Sequence, residues 1–289
     1  MLRVASAPIA ILGAGGGTAR PLIAALERGG TPVRAVVRRP EQASAFTEAR
    51  VADLADRDAL TRAIEGAGAV HLIPPVFNER EPLFAANLIA AAEAAGVQRV
   101  VYHSVLHAPT PAMPHHRRKS EVELMLRESS LAWTIVQPAM YMQTGFTFLD
   151  WASGAYTVPF DPDAPFAPID VVDLAEAVAA VLTGEGHEYA TYELAGTEHI
   201  TPRQMAAAIG EATDTAVTPS QVEPEAFAAA RGARRGFDER QTRELVAMYR
   251  HYDGHGLLGN GNVLRLLLGR EPARFADVAR RDLMQGADA

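Results

Sequence analysis

A glycine-rich segment near the start of the sequence, Gly13-Ala14-Gly15-Gly16-Gly17-Thr18-Ala19-Arg20, restricts the fold of this chain more than any other feature. It follows a short apolar run, Pro8 to Leu12, which predicts a buried strand, and it opens a helical stretch, Thr18 to Arg28. A strand, a glycine turn and a helix in this order are typical of a loop that binds the phosphates of a nucleotide.

The small residues fit the pattern GxxGxxG/A through Gly13, Gly16 and Ala19, whereas Thr18 breaks the more common GxGxxG spacing. Glycine at the first two positions allows positive φ angles and lets backbone N–H groups approach a diphosphate, and a small third residue lets the helix pack close to the strand. The helix N-terminus adds about half a positive charge. We therefore expect a dinucleotide site that includes Gly13, Ala14, Gly15, Gly16, Gly17, Thr18 and Ala19.

Up to Pro138, short apolar runs alternate with longer helical stretches. The runs are continuous in hydrophobic residues, as in strands that helices cover on both faces. Strands that alternate with helices pair in parallel through right-handed crossovers. The sequence therefore predicts an α/β fold, a doubly wound parallel sheet of the Rossmann type, with strands at 8–12, 33–37, 50–52, 69–73, 99–103 and 132–137 and helices at 18–28, 55–65, 81–95 and 119–129.

The pattern changes after Pro138. The Pro-rich segment 157–168 predicts a loop, a helix and a strand follow at 170–182 and 191–194, and the remainder is mainly helical. Leu245, Met248, Tyr249 and Tyr252 fall on one helix face, which indicates core packing. We expect residues 1–138 and 168–196 to form the nucleotide-binding domain, and residues 139–167 and 197–289 to form a smaller, mainly helical substrate-side cap region.

The composition limits the class of protein. Of the 289 residues, 48% are hydrophobic, which suffices for a sizeable core, and the net charge of −8 argues against binding to a nucleic-acid backbone. No cysteine is present, which excludes disulfides and thiolate metal sites, and no apolar run approaches the roughly 18 residues of a membrane span. We expect a soluble, cytoplasmic protein, monomeric or homodimeric, that binds a small-molecule substrate and neither nucleic acid nor membrane.

The end of the second predicted strand indicates which dinucleotide is bound. NAD-binding Rossmann proteins usually place an acidic residue there for the ribose 2′-hydroxyl, whereas this chain has Arg38 and Arg39. A guanidinium holds a 2′-phosphate through two parallel hydrogen bonds, so the sequence favours NADP(H) over NAD(H). The alternative is that both arginines lie on a solvated loop.

The fourth predicted strand ends at Ile73, Pro74 and Pro75. These residues would form the turn that covers the adenosine side of the dinucleotide. A plain strand-ending turn explains them equally well.

Several stretches resemble the NmrA-like family of atypical short-chain dehydrogenases/reductases, and together they extend through almost the whole chain. They are ILGAGGGTARPLI, VRAVVRRPEQA, VADLADRDAL, ANLIAAAEAAGVQRVVYHSV, KSEVELMLRESSLAWTIVQPAMYMQ, TYELAGTEHITPRQMAAAIGEA and MYRHYDGHGLLGNGNVL. The resemblance implies that Asp53 and Leu54 lie beside the adenine, that Ser104 and Lys119 are the family's serine and lysine, and that a turn formed by Pro138, Ala139 and Met140 lies near the nicotinamide.

The resemblance leaves the reaction open. Some members of the family reduce quinones, imines, double bonds or aromatic natural products with NADPH, and others bind NADP(H) as redox-sensing regulators. This chain departs from the family pattern with Ala19 at the usual third glycine, Val105 at a usual second serine and His107 at a usual glycine. These departures weaken a serine-based proton relay and suggest a distinct substrate pocket.

Lys119 lacks the tyrosine that usually accompanies it in short-chain dehydrogenases, where Tyr-x-x-x-Lys places both side chains on one helix face. His115 stands four residues before Lys119 and His116 three residues before it. A histidine on that face has a pKa suited to proton transfer near neutral pH. We expect Lys119 to contact the nicotinamide ribose and His115 or His116 to face the substrate; the alternative places both histidines in a Pro-rich surface loop.

The fifth predicted strand ends at His103, at the edge where doubly wound sheets bind ligands. Ser104 follows and would hydrogen-bond the nicotinamide side, and His107 is a candidate for contact with substrate. Although four histidines fall between residues 103 and 116, cysteines and a neighbouring acidic cluster are absent, so we expect no metal site.

Aromatic residues follow the turn at Pro138. Tyr141, Phe146 and Trp151 are candidates to line a flat apolar substrate pocket, and ordinary packing under the cap explains them equally well. This run favours an NADPH-dependent oxidoreductase that acts on a small aromatic or quinone-like substrate. The missing Tyr-x-x-x-Lys motif favours an NADP(H)-sensing regulatory protein without turnover, and a non-redox isomerase or cyclase is a third possibility.

Overall fold

The computed structural model describes residues 7–284. The strands are β1 (Ile9–Leu12), β2 (Val33–Val37), β3 (Ala49–Val51), β4 (Ala69–Leu72), β5 (Arg99–His103), β6 (Ala132–Pro138), β7 (Leu149–Asp150), β8 (Ala155–Val158), β9 (Ala190–Leu194) and β10 (Thr218–Gln221). The α-helices are α1 (Ala19–Arg28), α2 (Arg57–Ile64), α3 (Glu81–Ala95), α4 (Pro114–Arg127), α5 (Met142–Phe146), α6 (Val171–Thr183), α7 (Pro202–Thr213), α8 (Pro224–Arg235), α9 (Glu239–His255), α10 (Asn262–Leu268) and α11 (Phe275–Met284).

The larger sheet has seven strands in the order β3-β2-β1-β4-β5-β6-β9. Its first six members pair in parallel, with Leu12 of β1 opposite both Val36 of β2 and Leu72 of β4. The strand order reverses between β1 and β4, which in doubly wound sheets is where ligands bind at the carboxyl ends of the strands. The predicted Rossmann-type α/β fold is therefore confirmed.

The core of this sheet consists of the apolar runs that predicted its strands. Strand residues such as Leu12, Val70, Val100 and Ile135 are at most 1% exposed, and helix residues such as Leu60 pack into the same cluster. Because both faces are covered, the strands show continuous hydrophobic runs. α3 ends at a glycine with a φ of 71°, as its sequence predicts.

The chain divides into two compact units. Of the described residues, the first unit comprises 7–109, His115–Gln137 and Leu174–Tyr192, and the second comprises Thr110–Pro114, Pro138–Asp173 and 193–284. The first unit contains the glycine-rich segment and most of the larger sheet. In the described part of the chain, no helix is both long enough and apolar enough to cross a membrane.

The second unit contains a three-stranded sheet, in which β8 pairs in parallel with β10 and antiparallel with β7. β8 takes in the first two residues of the segment predicted as a loop, 157 and 158, while the rest of that segment, 159–168, forms no helix or strand, as predicted. An aromatic cluster forms the core, with ring centroids of Phe160 and Phe166 at 5.1 Å and of Phe166 and Tyr252 at 5.5 Å. Tyr252 therefore packs in the core, as its helix face predicted.

An ion pair anchors α11 within the second unit. Arg281 donates from both terminal nitrogens to Asp170, at 2.7 and 2.9 Å, and Asp170 is 1% exposed. Gln143 donates to the same carboxylate at 2.7 Å. A buried carboxylate held in this way fixes the segment that leads into α6.

Candidate functional site

The glycine-rich loop lies at the carboxyl end of β1, in a backbone conformation that only glycine adopts easily. Gly13 has a φ of 84°, and a Cβ added to it would lie 2.2 Å from the carbonyl oxygen of Ile73. Ile73 follows β4, and its N–H donates to the carbonyl of Leu12 at 3.0 Å. The loop is therefore wedged against the neighbouring strand, and a side chain at position 13 would displace it.

The rest of the loop presents backbone donors to solvent. Gly15, Gly16 and Gly17 are exposed, while Ala14 and Ala19 are completely buried beneath them. Among the described residues, the N–H groups of Gly15 and Gly17 donate to no backbone carbonyl. Exposed amides at the start of a ten-residue helix form an anion-binding surface, since the helix dipole adds to their partial charges.

The two arginines after β2 differ in their contacts. Arg39 pairs with Glu41 at 3.3 Å, whereas Arg38 is exposed and forms no ion pair within the described part of the chain. Gln42 accepts a hydrogen bond from the N–H of Arg39, and a Cβ on Gly15 would lie 2.4 Å from its Nε2 atom. Gln42 thus lies against the glycine loop, and Arg38 is the available cation at this edge.

The other residues predicted on the adenosine side occupy turns next to the loop. Asp53 is exposed, and the carbonyl of Leu54 accepts a hydrogen bond from Asn87 at 3.0 Å. Pro74 is buried and Pro75 is exposed. With Ile73 directly against Gly13, these segments line the same carboxyl edge of β1, β3 and β4.

Lys119 is held by buried acceptors at the end of β5. Its Nζ atom lies 2.8 Å from Oε1 of Glu81 and 3.2 Å from the carbonyl oxygen of His103, and it sits 5.4 Å from the ring centre of Tyr102. Tyr102 donates from its hydroxyl to the same Glu81 oxygen at 2.6 Å. Burial, reinforced by the Glu81 carboxylate, raises the pKa of Tyr102, so the phenol stays protonated.

Ser104 belongs to a second buried network. Its hydroxyl donates to Oε1 of Glu123 at 2.5 Å, and Gln137 donates to the same oxygen at 2.6 Å. Arg127 contacts the other oxygen of Glu123 at 3.3 Å. Ser104 is only 2% exposed, so in this arrangement its hydroxyl is committed to Glu123.

The two histidines before Lys119 lie in the first turn of α4, because this helix begins at Pro114 and not at residue 119 as predicted. The ring of His115 packs on Phe77 with centroids 4.5 Å apart, and it meets the ring of His116 at 4.4 Å. His116 is fully buried and its Nδ1 atom pairs with the carbonyl of His107, which is exposed and has a φ of 58°. Neither histidine therefore lies in a surface loop.

Burial lowers the pKa values of two histidines, His115 near this site and His71 on β4. It lowers the pKa of His115 well below its usual value, with further contributions from His116 and Lys119. Burial likewise lowers the pKa of His71 to about 4, although its Nδ1 atom pairs with the carbonyl of Val101. His115 and His71 are therefore neutral near pH 7, and each carries a single N–H.

The predicted nicotinamide turn belongs to the second unit. Pro138 and Ala139 are buried, and the carbonyl of Met140 accepts a hydrogen bond from Ile169 at 2.9 Å. Tyr141 forms a parallel bridge with the same Ile169. These pairings fix the backbone of the turn within that unit.

The predicted aromatic substrate residues occupy different environments in the second unit. Phe146 is half-buried and packs on Phe275 with ring centroids 5.4 Å apart. Trp151 is 56% exposed, in the turn between β7 and β8. The structure therefore does not gather Trp151 and Phe146 into one aromatic cluster.

The sequence did not predict three of the site residues. Gln42 lies in the short 3-10 helix Pro40–Ala45, and Glu81 and Glu123 are helix carboxylates that are each 2% exposed. Glu81 has the position of an ordinary acidic residue in a first helical turn, so no local pattern distinguishes it. One signal was available: Lys119 is the only lysine among 27 lysine and arginine residues.

Comparison with known proteins gives consistent matches. The profile of the NmrA-like family matches residues 5–273. The chain is 35% identical over 208 residues to a (4-alkanoyl-5-oxo-2,5-dihydrofuran-3-yl)methyl phosphate reductase of Streptomyces griseus, covering 69% of this chain and 71% of that protein. It is 33% identical over 233 residues to quinone oxidoreductase 2 of Escherichia coli, covering 77% and 80%.

Among solved structures, an NADPH-dependent quinone oxidoreductase of Escherichia coli in complex with NADPH superposes with a TM-score of 0.82 at 29% identity. The superposition covers 94% of this chain and 99% of that one. The family match spans nearly the full sequence, and the fold agrees with it. This chain therefore belongs to the NmrA-like family.

Proposed function

We propose that this protein is an NADPH-dependent oxidoreductase that reduces a small quinone-like or aromatic acceptor. The observation that carries the proposal is the exposed glycine loop at the end of β1, in which Gly15 and Gly17 donate to no backbone carbonyl of the described residues, together with the unpaired Arg38 at the adjacent end of β2. The acceptor class follows from the quinone oxidoreductase to which 77% of the chain is similar.

The residues present fit a dinucleotide. Gly13 allows the tight turn of the loop against Ile73, and the N–H groups of Gly15 and Gly17, which donate to no backbone carbonyl among the described residues, provide donors for a diphosphate. Arg38 carries a guanidinium that no acid neutralises among the described residues, as a 2′-phosphate requires. In this proposal the first unit binds the dinucleotide, and the second is the region that selects the acceptor.

Bound NADPH would supply a hydride to the acceptor, which also takes up one proton. His115, which is neutral near pH 7, suits the orienting of an acceptor oxygen through one N–H better than a role as a charged acid. Lys119 is proposed to donate to the nicotinamide ribose.

Two arginine variants test the cofactor assignment. Arg38→Ala should weaken NADPH binding by at least tenfold and leave NADH binding within twofold, because only NADPH carries the 2′-phosphate. Arg39→Ala is the matched control, since Arg39 is already paired with Glu41, and should change NADPH affinity less than Arg38→Ala does. Equal losses of NADPH and NADH affinity in Arg38→Ala would contradict the assignment.

Turnover tests the reaction. Purified protein is mixed with NADPH and a panel of quinones and aromatic ketones, and the absorbance of the reduced nicotinamide is followed. Steady loss with at least one quinone is expected. Tight NADPH binding without turnover across the panel would instead favour a sensor, and product formed without net oxidation of NADPH would favour an isomerase or cyclase.

A further inference from the structure

Lys119 is exceptional in this chain because it is the only lysine among 27 lysine and arginine residues. Its side chain is only 12% exposed. An ammonium group is a compact charge with three donors, whereas a guanidinium is a broad planar fork. Lys119 therefore places three donors around one small charge at this site.

Glu81 fixes the position of that charge. Its carboxylate is 2% exposed, and one oxygen accepts both from Nζ of Lys119 at 2.8 Å and from the hydroxyl of Tyr102 at 2.6 Å. A carboxylate that is buried against a single ammonium has little freedom to move, because water cannot replace either partner. The Tyr102 hydroxyl in turn holds the carboxylate oxygen from the strand side.

Two of the three N–H groups of Lys119 are thereby accounted for, by Glu81 and by the carbonyl oxygen of His103 at 3.2 Å. Within the described part of the chain, the third N–H has no acceptor. His103 ends β5, so this donor lies at the carboxyl edge of the sheet, where ligands bind.

We propose that Glu81 is a positioning residue of the cofactor site, which directs the remaining N–H of Lys119 toward a hydroxyl of the nicotinamide ribose. This inference rests on the proposed NADPH-dependent function. It predicts that Glu81 acts on the cofactor only through Lys119, and that the charge of Glu81 matters in addition to its shape.

A double-mutant cycle tests this coupling. Glu81→Gln keeps the shape of the side chain but removes its charge, and it should weaken NADPH binding about tenfold. Lys119→Met should weaken NADPH binding by a larger factor. In the Lys119→Met background, Glu81→Gln should change the affinity by less than twofold, because its target is gone. If Glu81→Gln weakens NADPH binding by the same factor in the wild-type and Lys119→Met backgrounds, the proposal is wrong. If Glu81→Gln does not fold, Glu81→Asp replaces it: it keeps the charge but withdraws the carboxylate by one methylene from Lys119, and it should also weaken NADPH binding in the wild-type background and change it by less than twofold in Lys119→Met.

The matched control is Glu244→Gln, which neutralises another buried carboxylate that is ion-paired at 2.8 Å, here with Arg240 in the second unit. It should lower stability and leave NADPH affinity within twofold. If it weakens NADPH as much as Glu81→Gln does, general destabilisation explains both effects and the positioning role is wrong.

The single lysine permits a readout that is independent of activity. Protein labelled with ¹⁵N-lysine has one side-chain amine signal, that of Lys119, which should move on titration with NADP⁺ and move by less than half as much in Glu81→Gln. A signal that stays fixed while calorimetry shows wild-type protein binding NADP⁺ overturns the positioning role alone. Wild-type protein that binds neither NADP⁺ nor NADPH overturns the proposed function and this inference together.

Discussion

Gly13 is where a single methyl group should most disturb the proposed cofactor site. Gly13→Ala places a non-glycine residue at a φ of 84°, which costs about 1–2 kcal/mol. The new Cβ would lie 2.2 Å from the carbonyl oxygen of Ile73, where real contacts stay beyond 3.0 Å, so the loop must move by at least the difference, 0.8 Å. Overpacking of this kind costs a further 1–3 kcal/mol or so.

We therefore expect Gly13→Ala to lower the free energy of unfolding by about 2–5 kcal/mol, measured by urea denaturation. Because the shifted loop would no longer hold its amides in place for the diphosphate, NADPH affinity should fall at least tenfold in calorimetry. Gly254→Ala is the control, because Gly254 lies in α9 with negative φ and no neighbour within 4 Å of an added Cβ. It should retain full affinity. Wild-type stability and affinity in Gly13→Ala would refute the reasoning.

Three further predictions concern stability. Burial lowers the pKa of His71 to about 4 in the folded protein, against a usual 6.5, so between these two pH values only the unfolded chain binds the extra proton. About 3 kcal/mol of stability should therefore be lost as the pH falls from 6.5 toward 4. Urea denaturation of His71→Gln should show a shallower loss over that range, and a pH profile identical to that of the wild type would contradict this. Arg281→Leu leaves the buried Asp170 without its cation and should lower the free energy of unfolding by about 2–3 kcal/mol, measured by thermal or urea unfolding. The loss is smaller than for a fully buried pair because Arg281 is 35% exposed. A loss below about half a kcal/mol would show that Gln143 and water stabilise the carboxylate without the arginine. Asp56→Ala removes the cap that accepts from the N–H of Ala59 at 2.9 Å and should cost about 1 kcal/mol; no change in the urea midpoint would mean that α2 does not need it.

The first half of the fold could be predicted because its strands are buried on both faces. Runs such as residues 69–72 and 99–103 are apolar throughout, and the helices between them end at glycines such as Gly96. The pattern can be read from one sequence because each strand buried on both faces has its own continuous apolar run. The glycine loop was recognisable for the same reason, since φ at Gly13 restricts the residue type.

The second sheet could not be predicted from its residues. β10 has the sequence TPSQ and is largely exposed, and β7 has two residues, so neither carries an apolar signal. Their pairing with β8 depends on contacts that are distant in sequence. α4 begins five residues before the predicted start at residue 119, at Pro114, which fits the preference for proline in a first helical turn.

Only part of the candidate site could be predicted from the sequence, for a related reason. Loop glycines and a basic strand end have local signatures, whereas the pairing of Glu81 with Lys119 joins residues 38 positions apart on different helices. Their contact depends on where the starts of α3 and α4 lie relative to β5, which no local sequence pattern encodes. The same holds for Ser104 and Glu123.

The most direct test of the account is calorimetric titration of the folded protein with NADPH and with NADH under the same conditions. The amides of the glycine loop and the unpaired Arg38 predict saturable binding of NADPH at micromolar concentration, at least tenfold tighter than binding of NADH. Binding of neither dinucleotide at millimolar concentration would contradict the central claim that this edge of the sheet holds NADP(H).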